Sequence, residues 1–262
     1  MIGDRHVHTE LSLDCPAKIA DVLDCAVSGG MKEIFITDHC DMDLGPDWLQ
    51  PVERYTETLE EYKRRYAGKI DVHIGIEIGL NPEYNGQINS YLASWPFELV
   101  VGSVHTMLGK DPYYREEYDL EDHEFYASYF KTVLERLRSD NSIDVLGHLD
   151  YVVRYGREKG ASYFPEKFSG EIEEILKILI RRDIALELNT GGLRKGIDFV
   201  HPHEFILGMY KDMGGKLITF GSDSHFPGSF AVCFNEAVEY VKSLGFAESV
   251  YFKEHKPYFE PL

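Results

Sequence analysis

The chain has 262 residues, 44% hydrophobic and 27% charged, and 45 acidic against 27 basic side chains give a formal net charge of −18. That composition suits one large buried core in a globular protein. It argues against nucleic-acid partners, since so acidic a chain is repelled by a phosphodiester backbone, and against a membrane span, since no run approaches ~18 apolar residues.

In chain order, short β-rich runs alternate with longer amphipathic stretches. The N-terminal MIGDRHVHTE lacks the basic and then apolar order of a signal peptide, so a cytoplasmic location is expected. A first strand is predicted over 2–8 and a helix over 19–28. Cys15, Cys25, Cys40 and Cys233 are too scattered for a CxxC pair or a zinc ribbon, and disulfides are not expected. A strand over 33–38, a long connection over 40–50 and a helix over 52–66 follow. Next come strand 70–79, helix 87–93 and strand 99–105. The connection 106–121, TMLGKDPYYREEYDLE, holds three tyrosines and reads either as a cover for an active site or as a solvated loop with aromatic anchors. Helix 124–138, strand 143–147, helix 171–181, strand 184–189, helix 204–212, strand 217–221 and helix 235–244 complete the pattern. In the fifth helix Ile172, Ile175, Leu176 and Leu179 form one apolar face. Seven strands, each followed by a helix, predict a single-domain α/β protein over 1–262, a (β/α)7 barrel, although an open doubly wound sheet gives a similar pattern.

The chemistry-bearing residues sit where the strands end. His6 and His8 are two apart and share one face of a strand. The next strands end at His39, Glu77, His105 and His148, and the last runs out into Asp223 and His225. In a barrel the C-terminal strand ends form one rim, the place where active sites are built. One such histidine reads as a hydrogen-bonded structural residue; a series of them reads as a metal centre. His73, His123, His201, His203 and His255 fall outside the series and are expected to be structural, His73 in the barrel interior.

The segments HVHTELSLD, ITDH, GIEIG, GSVH, GHLDYVVRYG, LELNTGGLR and GSDSH together resemble the PHP-domain phosphoesterases, most closely the histidinol-phosphate phosphatase branch. That resemblance implies a distorted (β/α)7 barrel with up to three metals. It implies that His6, His8, Glu77 and Asp223 hold one ion. Glu77 then bridges to a second ion held by His105 and His148, and Asp14, His39 and His225 hold a third. Asp14 stands where some relatives carry His, so the third site is expected to differ in affinity or metal preference. Mixed imidazole and carboxylate ligands suit two to three divalent transition-metal ions, zinc, manganese or iron. Set against Asp14, Glu77 and Asp223, three such ions leave surplus positive charge that fits a phosphate monoester dianion, and they lower the pKa of bound water. Asp223 and His225 are the candidate catalytic proton carriers, in roles the sequence does not divide.

For the substrate, Arg194 lies just past the sixth strand and Arg154 and Arg157 follow the fifth, each offering a planar fork to phosphate. Asn189 and the Gly191–Gly192 pair are expected to shape the same wall. The implied activity is hydrolysis of a small phosphate ester, L-histidinol phosphate, to L-histidinol and phosphate. Three rivals stand beside it. Another PHP phosphoesterase would act on phosphotyrosine, nucleotides or a 3′-DNA end. An amidohydrolase often has a bridging lysine, whereas these strand ends carry His39, Glu77, His105, His148 and Asn189. A non-catalytic metal-binding module is the third. Oligomeric state is left open.

Overall fold

Residues 2–139 and 142–262 are described by a computed structural model. The strands are β1 (Asp4–Val7), β2 (Glu33–Ile36), β3 (His39–Cys40), β4 (Asp71–Gly79), β5 (Leu99–Ser103), β6 (Val145–Leu146), β7 (Ala185–Asn189), β8 (Ile218–Gly221), β9 (Glu248–Lys253) and β10 (Lys256–Pro261). The helices are α1 (Ile19–Ser28), α2 (Val52–Tyr66), α3 (Asn85–Ala93), α4 (Asp122–Leu137), α5 (Ser169–Arg182), α6 (Gly191–Arg194), α7 (Glu204–Asp212) and α8 (Phe234–Ser243). All seven predicted strands and all seven predicted helices are present, with ends shifted by a few residues.

The pairing is parallel in the order β1-β2-β4-β5-β6-β7-β8, with β3 continuing β2 alongside β4. The last strand returns to the first. His8 N donates to Ser224 O at 2.9 Å and Asp223 N donates to His6 O at 2.8 Å, so the sheet nearly closes into a seven-strand barrel. This decides for the barrel over the open sheet.

Period-2 alternation sorts the side chains. Phe35, Leu99, Val101, Val145 and Ala185 fill the barrel interior, while Leu186 and Leu188 pack outward under the helices. The predicted face of α5, Ile172, Ile175, Leu176 and Leu179, is fully buried against the barrel. Each such side chain contributes about 1.5–3 kcal/mol relative to exposure. Val250 and Phe252 of the β9–β10 hairpin push into the same interior cluster and plug the barrel's N-terminal end.

That hairpin was not predicted. Its turn residues Glu254 and His255 take positive φ, 51° and 60°, without a glycine or asparagine to advertise it. Four of the five set-aside histidines have plain structural contacts. His73 stacks on Phe35 at 4.3 Å near the barrel floor, and His123 stacks on Phe168 at 5.2 Å. His203 accepts from Phe205 N at the start of α7, and His255 faces Asp144. His201 is fully buried against Asp150 at 2.7 Å.

Candidate metal centre

The rim begins with an irregularity in β1. Asp4 pairs with Ile34 but Val7 with Ile36, so three steps on one strand meet two on the other. The resulting kink lets Arg5 reach over Phe35 at the floor (6.0 Å) while His6 and His8 both face the rim.

Glu77, fully buried at the end of β4, is the centre of the cluster. Imidazole nitrogens of five histidines lie within 3.4 Å of its carboxylate: His6 at 3.3, His8 at 3.4, His39 at 3.0, His105 at 3.3 and His148 at 3.0 Å. One carboxylate cannot accept hydrogen bonds from five imidazoles. His6 Nε2, His8 Nε2, His39 Nδ1 and Glu77 Oε2 are buried with no hydrogen-bond partner. Unpartnered lone pairs of this kind are costly in a protein interior; converging on one point, they have the chemistry of a ligand set. Among the described residues, three trios have ligand atoms within 4.8 Å of one another: His6–His8–Glu77, His8–His39–His225 and His39–Glu77–His105. The donor set therefore fits divalent metals.

The remaining predicted ligands join this group at its edge. His225 Nε2 lies 3.2 Å from Asp14 Oδ2, and His39 Nε2 lies 3.8 Å from the same oxygen. Asp223 Oδ1 is 3.4 Å from His8 Nε2. Asp14 is 41% exposed, far more than the ligand candidates of the barrel interior. Asp223 adopts φ 51°, a left-handed conformation that aspartate tolerates better than most residues.

The electrostatics follow from this crowding. Burial alone would raise Glu77, but the surrounding His6, His105 and His39 hold it well below the usual carboxylate range. His8 is pushed down to about 3 by burial and by the neighbouring His225 and His39.

Two carboxylates that the sequence reading missed orient the imidazoles. Glu187 on β7 faces His6 Nδ1 at 2.6 Å and accepts from His148 N at 2.6 Å. Asp41, just after β3, faces His105 Nδ1 at 2.7 Å and His39 Nδ1 at 3.0 Å. For His6 and His105, a carboxylate on Nδ1 fixes the tautomer and leaves the Nε2 lone pair free for a cation. Glycine makes room for both. A Cβ at Gly221 of GSDSH would overlap Glu187 Oε1, and one at Gly79 of GIEIG would overlap Asp41 Oδ1. The sequence did carry signals: Glu187 shares strand parity with Asn189, and Asp41 stands two residues past His39.

Beside the cluster opens a cavity of about 460 Å³, reached by His39, His105, His148, Asp223 and His225 and by the cations Arg154, Arg194 and Lys195. Arg154 spans Asp223 Oδ2 with both terminal nitrogens at 3.3 Å and covers the Tyr151 ring at 5.0 Å. Arg194, on α6, donates to Asp223 O at 3.0 Å and to Ser222 O. Asn189 stands behind this wall: its Nδ2 donates to Glu187 at 3.1 Å and its Oδ1 accepts from Gly191 N at 2.8 Å. Arg157 does not reach the cavity. It is 51% exposed and pairs with Glu121 at 3.1 Å, its backbone held by Asp122. In the 106–121 connection Tyr118 is the buried anchor, and Tyr113 and Tyr114 line the cavity mouth.

Residues 4–191 match the PHP domain family. The chain belongs to the PHP-domain family. This PHP domain is 32% identical over 244 residues to the probable histidinol-phosphatase of Clostridium acetobutylicum, covering 91% of this chain and 92% of that one. It is 30% identical over 262 residues to the histidinol-phosphatase of Lactococcus lactis subsp. lactis, covering 97% and 95%. The crystal structure of histidinol phosphate phosphatase from the same Lactococcus, in complex with zinc, L-histidinol and phosphate, matches this PHP domain with TM-score 0.88 at 27% identity over 98% of both chains. The putative histidinol phosphatase of Listeria monocytogenes matches in fold, with TM-score 0.77 at 19% identity over 89% of this chain and 99% of that one.

Proposed function

We infer that the chain is a phosphoric monoester hydrolase that converts L-histidinol phosphate and water into L-histidinol and inorganic phosphate. The observation that carries this is the Glu77 cluster, five imidazoles around one buried carboxylate, placed beside a wall of cations. The Lactococcus histidinol-phosphatase and the probable histidinol-phosphatase of Clostridium, similar over nearly the whole chain, support this choice of substrate.

In this reading two to three divalent transition metals, zinc, manganese or iron, would be held by His6, His8, Asp14, His39, Glu77, His105, His148, Asp223 and His225. Such metals act as Lewis acids on phosphoryl oxygens and lower the pKa of water to near neutrality. Arg154 and Arg194 grip the phosphate. Each has a buried Nε–H without a partner, a donor suited to a phosphoryl oxygen. Lys195 adds a third positive charge at the same wall. Asp223 takes a proton from the attacking water, its other oxygen steadied by Arg154. His225 lines the same cavity, its Nδ1 facing Asp223 O at 3.1 Å, and would give a proton to the leaving alkoxide only while its Nε2 holds no ion. Asn189 positions this machinery through Glu187 and the α6 backbone.

A turnover screen of the metal-loaded protein across phosphomonoesters tests the substrate. The highest kcat/KM is expected for L-histidinol phosphate. A preference for phosphotyrosine or a nucleotide would overturn that assignment and leave the metal chemistry standing.

A further inference from the structure

The cavity is chemically two-sided. The connections after β6 and β7 bring Arg154, Arg194 and Lys195. The connections after β3 and β5 bring Trp48, Asp111 and Tyr113. Asp111 is the anomaly in this second group. One of its oxygens accepts from Tyr113 N at 2.8 Å, a local turn that fixes the side chain against the cavity wall. Among the described residues, no lysine, arginine or histidine forms an ion pair with it. Burial, the largest influence on it, pushes its carboxyl up from the ordinary range. A carboxylate partly withdrawn from water without a cation destabilises the fold unless a ligand brings one.

The apolar surroundings point the same way. Tyr113, 64% exposed, meets the Tyr155 ring edge-on at 5.9 Å and so forms an aromatic flank to the cavity that the protein itself leaves uncovered. An ammonium group held by a carboxylate beside aromatic faces is doubly favoured, by charge and by the ring quadrupole. Asp111 and His105 line the same cavity, so a cation bound at Asp111 shares that cavity with the metal cluster. L-Histidinol phosphate places its ammonium two carbons from the ester oxygen, with the imidazole ring beyond.

We propose that Asp111 is a specificity-determining residue that binds the ammonium group of the substrate, so that the site selects aminoalkyl phosphates over esters without the amine. The proposal rests on the phosphatase reading above. It adds a recognition element on the wall supplied by the connection after β5, and gives the 106–121 connection a role in choosing substrate.

The test compares the metal-loaded full chain on L-histidinol phosphate and on the same ester lacking the amine. Wild type should favour the amine ester. Asp111→Asn should shrink that preference by roughly 10- to 150-fold, the worth of a hydrogen bond to a charged group, with metal content unchanged. Asp111→Glu should keep more of the preference than Asn. A wild type that treats the two esters alike, or an Asp111→Asn protein with the wild-type preference, overturns the proposal. So does parallel loss of both activities together with metal. If wild type cleaves p-nitrophenyl phosphate but neither histidine-derived ester, the substrate reading fails separately. The amine claim is then decided by competition: L-histidinol should inhibit p-nitrophenyl phosphate hydrolysis more strongly than its amine-free analogue, and equal inhibition refutes it. That comparison needs no variant to fold.

Discussion

Histidines and carboxylates crowd both ends of this barrel, yet among the described residues the imidazole nitrogens and carboxylate oxygens buried without a partner lie at only one. At the N-terminal end, four basic groups meet four acidic ones under the β9–β10 hairpin. Arg5 pairs with Glu33 and Glu260, Lys63 and His73 share Glu98, and His255 faces Asp144. Charge there is matched within the protein. At the C-terminal rim five imidazoles converge on Glu77, and His6 Nε2, His8 Nε2 and Glu77 Oε2 have no hydrogen-bond partner. Nearness of histidine to carboxylate is common to both ends. Five imidazoles on one carboxylate and the unused lone pairs are what distinguish a site from a structural plug.

The largest effect should come from the rim's centre. Glu77→Gln removes the charge shared by five imidazoles and should lower kcat more than about 100-fold, beyond the 10–100-fold of changes one layer out. Elemental analysis should show fewer ions per chain. Asp14→Asn touches only the exposed edge of the cluster and should be milder in both respects. Equal metal occupancy in wild type and Glu77→Gln would refute the central role of Glu77.

Arg194→Ala should lower kcat/KM for L-histidinol phosphate by roughly 10- to 150-fold, the value of a charged hydrogen bond. Lysine at 194 should recover only part, because a point charge cannot reproduce the fork. Near-normal kinetics in Arg194→Ala would remove it from the phosphate wall.

Glu187→Gln keeps the shape but weakens the hold on His6 Nδ1. Metal affinity should fall about 10- to 100-fold, measured by competition with a chelator. An unchanged affinity would make Glu187 a packing residue.

The smallest effect belongs to the opposite end. Burial raises the Glu98 carboxyl, but hydrogen bonds from His73 and Lys63 overcome this and bring it from 4.5 to about 2. Its contribution is therefore present above pH 4.5 and lost as pH falls toward 2. Because Glu98 is partly exposed, that contribution should stay under about 1 kcal/mol. Glu98→Gln should flatten this part of the stability–pH curve and leave metal content as in wild type. Loss of metal in Glu98→Gln would blur the distinction between the two ends.

The rim was legible in the sequence because strand ends share one face of a barrel, so HxH, ITDH, GSVH and GSDSH declared themselves by position. What supports the rim was fainter, marked only by strand parity and spacing. Glu187 looks like one polar residue in a buried strand, and Asp41 like the start of a loop. Their roles emerge only when Gly221 and Gly79 let them approach His6 and His105. Arg157 looked equivalent to Arg154, but its fork is drawn to Glu121 at the surface and its backbone to Asp122. The β9–β10 hairpin lacked a glycine at its turn, and so the plug that closes the barrel floor was invisible beforehand.

A Glu77 rim that works as a metal centre must lose hydrolysis of L-histidinol phosphate when its ions are taken away. The most direct measurement is phosphate release from that ester by protein whose metal content is counted before chelation, after it, and after adding back zinc or manganese. Two to three ions per chain, loss of turnover when they are removed and recovery when they are restored are the predicted results. Full turnover in demonstrably metal-free protein would contradict the account.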